Sequence, residues 1–163
     1  MIFVCVGSRG YQFNRLLKAM DELVADGTIK EEVIAQTGLS DYKPVHYAYQ
    51  KYMDVDQFKK MQKDADLIVS HAGTGALVSA LKMGKQVIAV SRRKKYEEHI
   101  DDHQLQVAQA LESQGYLFVV REMDELGSII QKAKEQPICK KYEIPSNVIP
   151  IIDDFIQNKL IRK

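Results

Sequence analysis

The chain has 163 residues, the size of one folded domain with a single hydrophobic core. Apolar residues make up 45% of it and charged residues 28%, a balance typical of a globular protein rather than of a disordered or membrane-embedded one. Lys and Arg number 23 against 22 Asp and Glu, so no overall field draws the protein onto nucleic acid, and any anion-binding site must be local.

The chain begins with a short apolar segment that lacks the positively charged start and the small-residue cleavage site of a signal peptide. Its apolar stretches fall short of the roughly 18 residues that a membrane span needs. We therefore expect a cytoplasmic protein whose first segment is a β-strand.

Six short apolar segments predict β-strands, at residues 2–6, 33–36, 45–49, 67–70, 86–90 and 117–120. Five segments with apolar residues at helical spacing predict helices, at residues 13–25, 55–63, 75–83, 103–114 and 123–134. Because mostly continuous apolar strands alternate with helices, the sequence predicts an α/β domain with a parallel sheet covered on both faces. A last apolar stripe within residues 146–163 predicts a C-terminal amphipathic helix, which would pack on this domain or dock another chain.

The most informative segment runs from the strand at 67–70 through the letters H-A-G-T-G directly into a helix. Glycines let a backbone approach an anion closely, and the free N–H groups of a first helical turn point at it. We therefore favour phosphate binding by residues His71, Gly73, Thr74 and Gly75 over a turn with a packing role only. A dinucleotide site is disfavoured, because Val78 stands where a third glycine is expected and the next strand ends without an acidic residue.

A second turn follows the first strand, with the residues Gly7, Ser8 and Arg9. In a parallel sheet this turn lies at the same edge as the turn at His71, so the two could hold a diphosphate from two sides. Arg9 could add positive charge, although a single surface arginine is commonly just solvated.

A third polar segment, residues 91–104, follows the strand at 86–90 and leads into a helix near His103. Asp102, His103 and Gln104 offer the mixture of donors and acceptors that sugar hydroxyls need, but Asp101 or Asp102 could equally cap the helix. His99 and His103 are spaced as metal ligands, yet the sequence supplies no clear third ligand. The basic residues 92–95 are followed by two glutamates, so we interpret them as a solvated loop.

Together these motifs resemble a known family. The letters S-H-A-G-T-G-A-L-V-S-A-L-K-M-G-K from Ser70, V-I-A-V-S-R-R from Val87 and E-H-I-D-D-H-Q-L-Q-V-A-Q-A-L from Glu98 resemble the C-terminal domain of family 28 glycosyltransferases. The length is similar to that of the free-standing PssE-type, or galactosyltransferase-enhancer, subunits of bacterial exopolysaccharide synthesis.

The resemblance implies a Rossmann-like fold, the C-terminal half of a GT-B enzyme, that binds a UDP-sugar. The diphosphate would lie at Gly7, Ser8 and the 71–75 turn, the uracil near Val55, and donor groups near Asp102, His103 and Gln104. Ser79 stands where many relatives carry a carboxylate that holds the ribose hydroxyls, and a serine makes a shorter, uncharged contact.

These features predict the donor-binding subunit of a two-part glycosyltransferase that moves a sugar from a UDP-sugar to a lipid-linked acceptor in exopolysaccharide or capsule synthesis. Helix-terminal amides and a cation such as Arg9 or Arg93 would stabilise the leaving UDP, without a metal or other cofactor. A membrane-anchored partner would bring the acceptor and the general base, and would hold this chain at the inner face of the membrane. The alternatives are a non-catalytic accessory subunit and a nucleotide-binding protein unrelated to sugar transfer.

Overall fold

The computed structural model describes residues 1–143, which form one six-stranded sheet with every pair of neighbours parallel. Its strands are β1 (Ile2–Cys5), β2 (Val33–Gln36), β3 (Ala48–Gln50), β4 (Leu67–Ser70), β5 (Gln86–Val90) and β6 (Phe118–Val120). The α-helices of this part of the chain are α1 (Asn14–Ala25), α2 (Val55–Asp64), α3 (Thr74–Lys82), α4 (His103–Ser113) and α5 (Leu126–Glu135). The predicted fold class is confirmed, and the helix predicted within 146–163 lies outside the described residues.

The side chains of the central strand β1 alternate between two hydrophobic cores. Ile2 and Val4 pack with α1 and α5 on one face of the sheet. Phe3 and Cys5 pack with α3 and α4 on the other face. All four side chains are buried, so neither face of this strand meets water and its sequence is apolar throughout.

The order of the strands, β3-β2-β1-β4-β5-β6, places a change of direction at β1. The chain moves outward from β1 to β3 and then returns to add β4 on the other side of β1. Cys5 is in register with Gln36 of β2 and with Ser70 of β4, so these three strands end side by side. Loops that leave β1 and β4 toward opposite faces open a crevice between them, where α/β sheets commonly bind ligands.

Strand β3 differs from the prediction of a strand at 45–49. It begins only at Ala48, and all three of its residues are exposed at the edge of the sheet. The backbone N–H groups of Val45 and His46 instead donate to the carboxylate of Asp21 on α1, at 3.0 and 2.8 Å. This tertiary contact removes the first predicted residues from the strand.

The helices lie close to their predicted positions, with small differences at their ends. The segment predicted at 123–134 starts with a 3-10 turn, Met123–Glu125, before α5 begins. Glu122 and Glu125 form a reciprocal capping box at this start. A second 3-10 turn, Lys94–Tyr96, was not predicted. None of the helices described within residues 1–143 has the length and hydropathy to cross a membrane.

Asp21 ties the loop before β3 to α1, because its buried carboxylate also accepts a 2.8 Å hydrogen bond from the Tyr42 hydroxyl. We expect Asp21→Ala to lower the free energy of unfolding by roughly 1–3 kcal/mol, since it removes three partly buried hydrogen bonds, from Tyr42, Val45 and His46, at once. Chemical denaturation measures this loss. The exposed neighbour Glu22 is the control, and Glu22→Ala should change stability by about 0.5 kcal/mol or less. Equal stability of the two variants would contradict this role of Asp21.

Candidate functional site

A cleft of about 600 Å³ opens at the crevice between the loops after β1 and β4. The start of α2, the first turns of α3 and the segment before α4 complete its walls. Most of the residues predicted from sequence line this cleft, namely Gly7, Ser8, Arg9, Val55, His71, Gly73, Thr74, Gly75, Ser79, His103 and Gln104. The structure therefore brings together residues that are up to 97 positions apart in the chain, from Gly7 to Gln104. Their roles in ligand binding stay predictions.

The turn after β4 presents unpaired backbone donors to the cleft. Ala72, between β4 and α3, has a left-handed backbone with φ of 63°, which an alanine adopts only at a cost. Gly73 is the N-cap of α3, and its position has no side-chain capping hydrogen bond. The first N–H groups of a helix have no partner within it, so those of Thr74 and Gly75 are free to bind an anion.

The ring of His71 lies between the loop after β1 and the loop after β4. Its Nδ1 lies 3.1 Å from the carbonyl oxygen of Cys5, and because a carbonyl only accepts, Nδ1 carries the proton of this hydrogen bond. Its Nε2 lies beside two glycines. A Cβ atom added to Gly7 would lie 2.6 Å from this nitrogen, and one added to Gly73 would lie 2.3 Å from it. The packing of this one imidazole therefore disfavours any residue larger than glycine at positions 7 and 73.

His71 is neutral at physiological pH. Burial lowers the pKa of its imidazole to about 4, with a further contribution from the positive charge of Arg92. In the neutral ring the single proton is on Nδ1, so Nε2 has none to donate to a phosphate. The binding power of this turn therefore comes from its backbone amides, with His71 as their support.

Arg92 is a cleft residue that the sequence analysis assigned to a solvated loop. Its side chain is buried, with 1% of the residue exposed, and its guanidinium donates to the carbonyls of Val6 and Tyr11 on either side of the first loop. Its Nε has no hydrogen-bond partner in the described residues. Burial lowers the pKa of Arg92, although a guanidinium keeps its proton in proteins. A fixed positive charge thus lies beneath the cleft.

Two predicted residues, Arg93 and Asp102, do not line the cleft. The guanidinium of Arg93 donates to the carbonyl of Arg121, 3.1 Å away, and its backbone N–H donates to the buried carboxylate of Glu98. Asp102 accepts a hydrogen bond from the backbone N–H of Lys94 at 3.0 Å. The adjacent residues alternate in direction after β5, so Arg92 rather than Arg93 faces the ligand space. The sequence alone offers no signal that separates these two adjacent arginines.

His99 is a second cleft residue that was missed. It is 5% exposed, its ring is tilted against that of Tyr11 with centroids 5.0 Å apart, and its Nε2 has no partner in the described residues. The sequence supplied no third residue for a metal with His99 and His103, but the structure brings Asp101 to both. The carboxylate of Asp101 contacts both imidazoles, and its backbone N–H lies 3.3 Å from His99 Nδ1. The prediction of a metal-independent site stays a prediction.

An apolar wall forms the far side of the cleft at the start of α2. Val55 is 68% exposed, and Phe58 packs edge-on against the core residue Phe3 with ring centroids 5.5 Å apart. The N-cap Asp54 holds this helix start through a capping box with Gln57. An exposed apolar side chain on a rigid helix start is suited to the face of a planar ring.

The two glycines of the α3 turn make a matched pair for substitution. Gly73→Ala should destabilise the fold by roughly 1–3 kcal/mol, because the added methyl overlaps the buried ring of His71. Gly75→Ala places its methyl in open space within a helix and should be neutral or stabilising by up to about 1 kcal/mol. Thermal or urea unfolding compares the two. If Gly73→Ala were as stable as Gly75→Ala, the packing of His71 against this turn would be refuted.

His71 should make stability depend on pH. Its pKa is about 4 in the folded protein and near 6.5 when unfolded, so its contribution is complete above pH about 6.5 and is lost as the pH falls toward 4. The loss should reach at most about 3 kcal/mol. Urea titrations between pH 4 and 7.5 should show this component in the natural protein and not in His71→Gln, whose amide can still donate to Cys5. The same pH profile in both proteins would show that His71 is not the group responsible.

Comparison with known sequences identifies a family. The sequence profile of the glycosyltransferase family 28 C-terminal domain matches residues 1–149. The human protein named UDP-N-acetylglucosamine transferase subunit ALG13 is 29% identical over 124 residues, which are 72% of this chain and 11% of that protein. The ALG13 subunit of Eremothecium gossypii is 35% identical over 76 residues, 46% of this chain and 36% of that protein. The chain thus spans about a third or less of these relatives.

Solved structures show the same fold. MurG from Acinetobacter baumannii has a TM-score of 0.64 at 16% identity, over 94% of this chain and 49% of that one. The solution structure of ALG13 has a TM-score of 0.57 at 16% identity, over 98% of this chain and 96% of that one. These neighbours confirm the expected architecture, a parallel sheet with helices on both faces as in the C-terminal domain of GT-B glycosyltransferases.

Proposed function

Because the chain belongs to the glycosyltransferase family 28 C-terminal domain family, we propose that it is the donor-binding subunit of a two-part glycosyltransferase that uses a UDP-sugar. One observation carries this proposal. The cleft at the change of strand direction presents free helix-terminal amides on one side and the buried guanidinium of Arg92 beneath it, which together suit a diphosphate.

The charges around the cleft agree with an anionic ligand. Arg9, Lys59 and Arg92 line it, whereas Asp54 is the one carboxylate among the described residues that do. The diphosphate would lie between the Gly7 loop and the α3 turn, within reach of these cations.

The remaining groups of the donor would follow from this placement. The uracil would stack on the wall of Val55 and Phe58, and the ribose would lie near Ser79, one helical turn beyond Gly75. The sugar would face His99, His103 and Gln104, whose ring nitrogens and amide supply donors and acceptors for hydroxyl groups.

In the proposed reaction an acceptor hydroxyl attacks the anomeric carbon, the bond from that carbon to the diphosphate oxygen breaks, and the proton passes to a general base on the partner. The amides of Thr74 and Gly75 and the charge of Arg92 would stabilise the negative charge on the leaving UDP. Arg92 takes the role that the sequence analysis gave to Arg93. We propose that neither a metal nor a further cofactor takes part.

The partner, location and pathway are part of the same proposal. A membrane-anchored chain would bind a lipid-linked acceptor and keep this subunit in the cytoplasm at the inner face of the membrane. The names of the relatives, as subunits of a UDP-N-acetylglucosamine transferase, support an enzyme assembled from more than one chain. They do not name exopolysaccharide or capsule synthesis, which stays a prediction of the sequence analysis.

Calorimetry with UDP tests the donor site. We expect UDP to bind the chain or its complex with the partner, and Thr74→Val to weaken binding roughly three- to tenfold, because it removes a hydroxyl donor at the start of α3 without changing shape. Ser113→Ala is the control, since that hydroxyl lies at the far end of α4 and bonds to Ala110. No binding of UDP to the chain or to its complex, or tighter binding of ADP or NAD than of UDP, would refute the proposal.

The assembled complex also separates a donor subunit from an accessory one. Sugar transfer by the complex should fall in Thr74→Val only if this cleft holds the donor.

A further inference from the structure

A buried amide lies behind the cleft wall, between α2 and α3. Gln62 of α2 is wholly buried and does not line the cleft, whereas Ser79 of α3 does. Their side chains are 2.8 Å apart, Ser79 Oγ to Gln62 Oε1. Glutamine is rarely buried to this degree, because its amide loses water and must find partners inside the protein.

The direction of each hydrogen bond in this pair is determined by its neighbours. Gln62 Nε2 lies 3.0 Å from the carbonyl oxygen of Ala76, which can only accept, so the NH₂ end of the amide must face Ala76. The oxygen end therefore faces Ser79, and an amide oxygen also only accepts. The single hydroxyl proton of Ser79 must be donated to Gln62, which leaves lone pairs as all that Ser79 Oγ can offer the cleft.

We infer that Gln62 is a positioning residue that turns Ser79 into a hydrogen-bond acceptor for a ribose hydroxyl of the bound nucleotide. This rests on the proposed function. Diphosphate oxygens are acceptors and cannot bond to an oxygen that offers lone pairs only, whereas the ribose hydroxyls carry protons to donate. Ser79 lies one helical turn beyond the amides of Gly75, at the distance along α3 where a nucleoside follows its phosphates.

The pair fixes which group Ser79 presents to the cleft. A free serine hydroxyl can rotate and present either its proton or its lone pairs, so a ligand hydroxyl would have to select one orientation. Gln62 makes that selection before the ligand arrives, which is preorganisation by a residue that never touches the ligand. A buried glutamine that served only to join α2 to α3 would leave the choice between ribose and deoxyribose unaffected.

The test compares the affinities of UDP, 2′-deoxy-UDP and 3′-deoxy-UDP. The natural protein, as the chain or as its complex, should prefer UDP to at least one deoxy analogue by roughly three- to tenfold. Ser79→Ala should bind UDP and that analogue equally. Gln62→Met, which keeps the length and apolar volume of the side chain but offers Ser79 no amide oxygen, should lose most of the preference although Ser79 is intact.

Two further variants complete the design. Gln62→Glu is buried and therefore protonated, so its O–H donates to the Ala76 carbonyl and its other oxygen accepts the Ser79 proton. This variant should retain the preference for UDP, also where Gln62→Met does not fold. Gln131→Leu removes a comparable amide bond, from Gln131 Nε2 to the Thr28 carbonyl on the opposite side of the sheet, and should leave the preference unchanged. Thermal unfolding of each variant confirms that it is folded.

The outcomes separate this inference from the proposed function. If UDP binds but neither deoxy analogue is weaker, or if folded Gln62→Met keeps the full preference, or if Gln62→Glu loses it, the role of Gln62 is refuted and the donor site stands. If UDP binds neither the chain nor the complex, the proposed function fails and the inference fails with it.

Discussion

The cleft depends on one contact, between His71 and the carbonyl of Cys5 at the end of β1, which accepts hydrogen bonds from both the backbone N–H and Nδ1 of His71. It joins the last residue of one strand to the first residue after its neighbour, and it places a flat, uncharged ring between two glycines. The ring sets the separation of the two loops, and burial keeps it neutral by lowering its pKa. The free amides of α3 are therefore held at a defined distance from the loop after β1.

A buried positive charge is the second feature of the site. Arg92 donates to two carbonyls of the first loop, Val6 and Tyr11, and has no carboxylate directly bonded to its guanidinium among the described contacts. The nearby acid Glu98 is instead occupied by Arg15 and by the backbone of Arg93. A cation held by carbonyls alone retains most of its attraction for an incoming anion.

The fold of the described residues could be predicted almost completely. The strands and helices were found because their patterns are local: a strand buried on both faces is a short apolar segment, and a helix repeats its apolar residues every three to four positions. The main error, at β3, has a tertiary cause. Asp21 lies 24 residues before Val45, and its capture of two backbone N–H groups changes where the strand begins.

The sequence by itself determined the class of the fold, the two glycine turns and most residues of the cleft, because in a parallel sheet all strand ends of one kind meet at one edge. It could not determine which of two adjacent arginines faces inward, that His99 is buried beneath the cleft, or that Gln62 controls the hydroxyl of Ser79. Those facts depend on side-chain direction and on partners that are distant in the chain, such as Gln62 and Ala76 across two helices. Only the packing of the folded chain decides them, because a hydrogen bond forms only when folding brings its donor and its acceptor together.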